Sequence, residues 1–393
     1  MQYSFADCVL DTETHALFRG GNEIAVEPQV FDLLHLLVAS GGKLVSKDQM
    51  FESVWGGRIV SEATVSARIN GARKAVGDNG KDQAIIRTIA RRGLQFVAPV
   101  QEVQTEIQPS NVTTETQQTI RYTSSEDGTA IAFATSGNGP PFLYAGHNVT
   151  HLELDWNSPL WRPYFDALGA EHTFIRYDIR GTGLSDANLK DKNIDHYVAD
   201  LAAVVEAAGL ERFPLLTCLQ NTPVAIRYAV QNPDRVTKLI IHNGYARGRA
   251  LRQEAPASTD SDPVVALARE GWGQASNGFM RAWVSLIAPD AGYDEATALI
   301  ELIGAACSVE NFVANRLIND RFTCVEYLSQ IDIPTLVIHS RNDTIHPLSE
   351  GRLLAQRIAG AEFMAVDSGN TIPLPSGPTW QSQLDAILEF LAK

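Results

Sequence analysis

Apolar and polar residues change rhythm twice along this chain of 393 residues. In YSFADCVLD (3–11) and HALFRGGNEIAV (15–26) they alternate, which predicts a small N-terminal sheet. The spacing then lengthens. VFDLLHLLVAS (30–40) reads as a helix, with Glu27 and Pro28 at its start and Gly41 and Gly42 after its end. A second helix, KDQMFESVW, follows Ser46, and Ser61 caps a third over EATVSARINGARKAVG (62–77), with Gly77 as its stop. On the third helix Val65, Ile69, Ala72 and Val76 form one apolar stripe, leaving Ala63, Ala67, Asn70 and Lys74 opposite, flanked by Arg68 and Arg73. IIRTIARRGLQFVAPV (85–100) predicts a hairpin whose turn is marked by Gly93.

Residues 100–118 are polar and poor in large apolar groups, the composition of a flexible connector. From Thr119 the rhythm changes again. Apolar runs such as PFLYAG (141–146), FPLLTCLQ (213–220), VTKLIIHNG (236–244) and PTLVIHS (334–340) alternate with helical stretches. Strands apolar on both faces and separated by helices argue a mostly parallel, doubly wound α/β sheet. Between about 245 and 332 this order gives way to helix-like segments rich in Trp and Phe. The expected organisation is therefore a domain over 1–99, a linker over 100–118 and a larger domain over 119–393.

Charge sharpens that division. The net charge of -14 would oppose nucleic-acid binding if evenly spread, but residues 1–99 hold 11 basic and 11 acidic residues and the remainder 21 and 35. Within 68–92, seven basic residues (Arg68, Arg73, Lys74, Lys81, Arg87, Arg91, Arg92) face only Asp78 and Asp82. The four cysteines are widely separated and the histidines show no metal spacing, so neither disulfides, a metal site nor a cofactor is expected. The acidic N-terminus and the lack of a long uninterrupted apolar run lead to the expectation of a cytoplasmic protein without membrane attachment.

Residues 2–99, with this basic third helix and hairpin, resemble the OmpR/PhoB-type winged helix, an α+β DNA-binding module. The resemblance implies a recognition helix in the major groove and a wing on the neighbouring backbone. Position by position it makes Arg68, Asn70 and Arg73 DNA-facing on the helix and puts Thr88 on the wing's first strand, with Lys74, Arg91 and Arg92 as further basic DNA-binding candidates. Arginine suits guanine and asparagine suits adenine, because each can pair bidentately with that base edge. The wing departs from the usual pattern at Ala90 and Leu94. The plainer reading of the stripe is a solvated basic face on an interaction domain.

Residues 119–393 resemble α/β-hydrolases. Ala145-Gly146-His147 matches the oxyanion loop, and Arg180-Gly181-Thr182-Gly183-Leu184-Ser185 matches a structural turn that makes Ser185 a loop residue. The nucleophile elbow, G-x-S-x-G in that family, is Thr217-Cys218-Leu219-Gln220-Asn221 here. Asp343 falls at the triad acid, and Thr371, after Ser368-Gly369-Asn370, falls at the histidine. A serine hydrolase needs a hydroxyl, an imidazole and a carboxylate. Leucine cannot attack a carbonyl. The resemblance thus implies a degenerate hydrolase domain under a helical cap, holding a small molecule at His147, Leu219, Gln220, Asp343, His346 and Thr371, with Asn221 a further polar anchor. His151 also maps near the mouth, and Trp272, Phe279, Trp283 and Phe312 either line the cavity or pack the cap.

Joined together, the two resemblances describe a one-component regulator without catalytic residues: a DNA operator and a small-molecule effector as partners, RNA polymerase as a further contact, and a homodimer as the acting form. Two other readings remain open. One is an active hydrolase fused to a DNA reader, with Cys218 as a displaced nucleophile; the other is a hydrolase-like domain serving only as a dimerisation scaffold.

Overall fold

The computed structural model describes residues 2–12, 16–20, 22–24, 26–55, 62–89, 92–103, 117–147, 149–252 and 263–393. The chain divides into two compact units, Met1–Val112 and Thr113–Lys393.

The first unit opens with strands β1 (Gln2–Phe5), β2 (Cys8–Asp11), β3 (Ala16–Arg19) and β4 (Asn22–Ile24). Helix α1 (Pro28–Ala39) follows, then β5 (Leu44–Ser46), α2 (Lys47–Trp55), α3 (Glu62–Ala75), β6 (Ile86–Ile89), β7 (Gly93–Phe96) and β8 (Gln101–Val103). The N-terminal strands form an antiparallel sheet in the order β4-β3-β2-β1-β8. β8 corrects the connector, which was expected to begin at residue 100. The free edge of β1 offers unpaired backbone groups, and Gln101–Val103 take them up regardless of side-chain polarity. Residues 104–116 lie outside the described residues.

The second sheet, β5-β7-β6, carries the wing hairpin. Its turn falls before Gly93, which is the first residue of β7, and Ala90 and Arg91 lie outside the described residues. Gly93 has φ +146°, and a side chain there would run into the Val45 carbonyl of β5. The apolar stripe of α3 is buried as its spacing requires, with Val65, Ala72 and Val76 in one core with Leu33, Leu34 and Leu37 of α1.

The second unit begins with β9 (Thr119–Ser124), β10 (Ala130–Ser136) and β11 (Pro141–Ala145), followed by α4 (Leu152–Asn157), α5 (Arg162–Gly169), β12 (Thr173–Tyr177), α6 (Ile194–Ala207), β13 (Phe213–Cys218), α7 (Thr222–Gln231) and β14 (Val236–His242). Four helices then form the cap: α8 (Pro263–Gly271), α9 (Gly278–Ile287), α10 (Tyr293–Ala306) and α11 (Val309–Asn319). β15 (Thr335–Ser340), α12 (Leu348–Arg357), β16 (Glu362–Val366) and α13 (Trp380–Ala392) complete the chain.

The eight strands run β16-β15-β14-β13-β11-β12-β10-β9, antiparallel only where β10 meets its two neighbours. Alternation along each strand divides the core. Phe142, Tyr144, Leu216 and Cys218 pack toward α5, α13 and the cap, while Leu143, Ala145 and Leu215 pack toward α6, α7 and α12. Helices on both faces explain why these strands read as unbroken apolar runs. No single described helix is long and apolar enough to cross a membrane.

Candidate functional site

α3 presents Ser66, Ala67, Asn70 and Lys74 to solvent. Its two arginines do not. Arg68 is half-buried, ion-paired with Glu27 and donating from Nε to Gln29 Oε1 at 3.0 Å, so it fastens α3 to the start of α1. Arg73 is only 6% exposed. Its Nη2 donates to Ile86 O at 3.0 Å and Thr88 Oγ1 at 2.8 Å, and its Nε to Ile86 O at 3.2 Å. Arg73, expected to read bases, is thus tied in this structure to the wing's own first strand. Helical periodicity placed it beside the outward face, and only the wing folding back onto α3 buried it.

Arg87, Thr88 and Arg92 are exposed on the wing, while Arg91 lies outside the described residues. The wing's root is set by Asp78. Its carboxylate accepts from the backbone N–H of Asn79, Ala84, Ile85 and Ile86 at 2.8–3.0 Å. Burial works to raise that carboxyl, but the four donors outweigh it and hold it below the usual carboxylate range. Ser66, Arg87 and Asp78 were not singled out from the sequence as site residues.

In the second unit, β13 ends at Cys218 and the chain turns through Leu219, whose φ of +50° is left-handed. A non-glycine residue held there costs roughly 1–2 kcal/mol. A short 3-10 turn, Leu219–Asn221, leads into α7, which carries Pro223 in its first turn. The strained elbow of a hydrolase is therefore present with leucine at its apex. Asn221 Nδ2 donates to Gly146 O at 2.6 Å, and Asn221 is buried. It ties the elbow to the loop after β11, which corrects its expected role as a ligand anchor.

Above the elbow lies a cavity of about 200 Å³. Leu219, Gln220, His147, His346 and Thr371 line it, as the sequence led one to expect. Trp283 and Phe312 also line it, whereas Trp272 stacks on Phe312 with ring centroids 4.0 Å apart and Phe279 packs against the core. The cap adds Leu299, Leu302 and Ile303, and Leu286, 46% exposed, stands at its rim. Arg249, Arg316 and Tyr245 are lining residues that sequence reasoning missed, since nothing local in the sequence marks which cap side chains turn inward.

Asp343, expected at the ligand, is not among the residues that line the cavity. Its Oδ1 accepts from Thr371 Oγ1 at 2.8 Å and from the backbone N–H of Ile345 and His346 at 2.8 and 3.0 Å. Burial pushes its carboxyl up to about 6 against those donors. Thr371 thus stands between the acid and the cavity.

His147 stacks on Trp161 with centroids 4.3 Å apart, and burial pushes its imidazole down to about 3, so it is neutral. His346 is likewise held well below the ordinary histidine value, by burial first and then by Arg252, His339 and Arg316. His151 is structural: its Nδ1 caps α4 by accepting from Glu153 N and Leu154 N. Cys218, the last residue of β13, packs in the same apolar cluster as Tyr144 and Leu216. Its Sγ sits 3.3 Å from Tyr144 OH, and burial pushes the thiol up to about 12. Burial in an apolar wall disfavours the thiolate that nucleophilic attack requires. Ser185, as expected, serves its loop, donating to Asp178 O at 2.6 Å.

The family described as transcriptional regulatory protein, C terminal, matches residues 21–96. Those residues form a DNA-binding regulatory domain of that family. Over 83 residues the chain is 32% identical to the transcriptional activator CadC of Escherichia coli, a match spanning 21% of this chain and 16% of CadC. Beyond the regulatory domain the similarity is to enzymes. A protein of Azorhizobium caulinodans named as a carbamate hydrolase, RutD, is 28% identical over 244 residues, covering 61% of this chain and 87% of RutD. The enol-lactonase of Burkholderia xenovorans shares the fold with a TM-score of 0.55 at 21% identity, covering 70% of this chain and 100% of that one. The regulatory domain is therefore fused to an α/β-hydrolase-like unit, and the enzymatic character of the hydrolase relatives weighs against a unit devoid of chemistry.

Proposed function

We propose that the chain is a one-component transcription regulator whose hydrolase-like unit binds a small molecule and does not hydrolyse it. One observation carries this reading: the elbow keeps its strained geometry, but Leu219 closes the cavity floor where a nucleophile would stand. The position of the triad histidine is taken by Thr371, which binds Asp343 and offers no base. DNA contact comes from Asn70 and Lys74 on α3 and from Arg87, Thr88 and Arg92 on the wing. The acting form is a homodimer on paired half-sites about 10–10.5 base pairs apart, since one small winged helix makes few contacts. A footprint over a single half-site would contradict that form.

Thermal unfolding of the full chain against a small-molecule library tests the sensing. A ligand that binds only the folded state raises stability by RT ln(1+[L]/Kd). A compound that stabilises the parent but not Leu286→Trp, which narrows the rim, supports binding in this cavity. No stabilisation by any compound favours the scaffold reading.

The second reading, an active hydrolase, is favoured by the relatives named as a carbamate hydrolase and an enol-lactonase. Ester and amide turnover by the purified chain would establish it, and the buried, protonated Cys218 argues that such turnover would not depend on that thiol.

A further inference from the structure

We propose that the cavity takes an uncharged molecule whose polar head carries both a hydrogen-bond donor and an acceptor, as a primary amide does, on an apolar body. This rests on the ligand-binding reading above. His346 is 4% exposed and lines the cavity, and neither of its ring nitrogens has a hydrogen-bond partner. A neutral imidazole has one donor and one acceptor whichever tautomer it adopts, so the ring asks for both from its occupant. Leaving either unmet in a buried site is costly, and that cost is what a complementary ligand removes. Tyr245, with its ring centroid 5.0 Å away, fixes the imidazole from one side.

Two further groups each add one unmet hydrogen bond. Gln220 Oε1, at the elbow, is buried without a partner and calls for a donor from the occupant. His147 Nδ1 is also buried without one. These groups, together with the Trp161 indole N–H that also lines the cavity without a partner, are one amide, two imidazoles and an indole, none of them a fixed charge. Arg249 is ion-paired with Asp320 at 2.8 Å, which leaves that side of the cavity with balanced charge. Trp283, Phe312, Leu302 and Ile303 supply an apolar wall for the body of the molecule. Arg316 also lines the cavity, so an anionic head is the rival to be tested.

Calorimetry and thermal unfolding of the full chain with phenylbutanamide, methyl phenylbutanoate and phenylbutanoate separate the cases. The three share one body and differ in the head: donor plus acceptor, acceptor only, and anion. The amide should bind about tenfold or more tighter than the ester, the ratio expected when one buried hydrogen bond is left unmade. His346→Phe, which keeps a ring against Tyr245, should reduce that ratio to about twofold or less; Gln220→Met should erode it too and serves if the first variant does not fold. Equal binding of amide and ester, preference for phenylbutanoate, or a ratio unchanged in both variants overturns the assignment of the head while leaving ligand binding intact. Binding by none of the three overturns the assignment of an amide head on this apolar body, while ligand sensing is decided by the library screen above.

Discussion

Thr371 donates its hydroxyl to Asp343 Oδ1 at 2.8 Å, filling the hydrogen bond that an imidazole makes to the acid of a hydrolase triad. The acid is buried and satisfied on one oxygen only.

That contact has a pH signature. Asp343 carries a carboxyl raised to about 6, so folding loses stability from this group as pH climbs from 3.8 to about 6, where the unfolded chain ionises first. Thr371→Val removes a donor that favours the ionised form. It should cost about 1.5–3 kcal/mol above pH 6 and less below, read from urea midpoints at both ends. An equal loss at every pH would show that the hydroxyl does not act on Asp343.

Asp155 should govern a separate, higher window. It is 1% exposed, its Oδ1 has no partner, and burial pushes it up to about 8, with Arg176 opposing and Asp178 adding to the shift. Its folded form stays protonated while the unfolded form is ionised, so stability falls with pH, by at most about 1.4 kcal/mol per unit. Asp155→Asn keeps an acceptor for His151 N and should flatten the fall between about pH 6 and 8. A slope unchanged in the variant would assign the fall to another group.

The elbow can be tested by rebuilding it. Thr217 and Asn221 lack the glycines of the family pattern, yet Leu219 already holds the left-handed turn. Leu219→Ser with Thr371→His should therefore hydrolyse nitrophenyl acetate roughly 10²-fold faster than either single variant, the scale of a working general base. Rates no higher than those of the single variants would mean that the cavity no longer presents an ester to the elbow.

On the regulatory domain, Asn70→Ala should cost about 1–3 kcal/mol and relax discrimination at one base pair. Lys74→Ala and Arg92→Ala should weaken all sequences alike and lower the salt slope by about one each. Arg73→Ala should instead lower the melting temperature, since it strips donors from Ile86 O and Thr88 Oγ1. If Arg73→Ala melts like the parent and loses base discrimination, the arginine leaves the wing to reach DNA.

Local pattern determined the element types, the apolar stripe of α3, the alternation of strands and helices after Thr119 and the identity of the residue at the elbow. These depend on periodicities of two and 3.6 residues and on the residue types at a single turn, all carried by neighbours in the chain. Tertiary structure decided what each long side chain does. Arg73 reads as exposed from its helix position and is buried because the wing packs on it. Asp343 reads as a site residue and is screened because Thr371 comes back from a distant loop. Asn221 looks like an anchor and is bound to Gly146. The cavity walls from Tyr245, Arg249 and Arg316 were illegible for the same reason: burial and hydrogen-bond partnership are set by segments tens to hundreds of residues apart, and no local spacing encodes which of them meet.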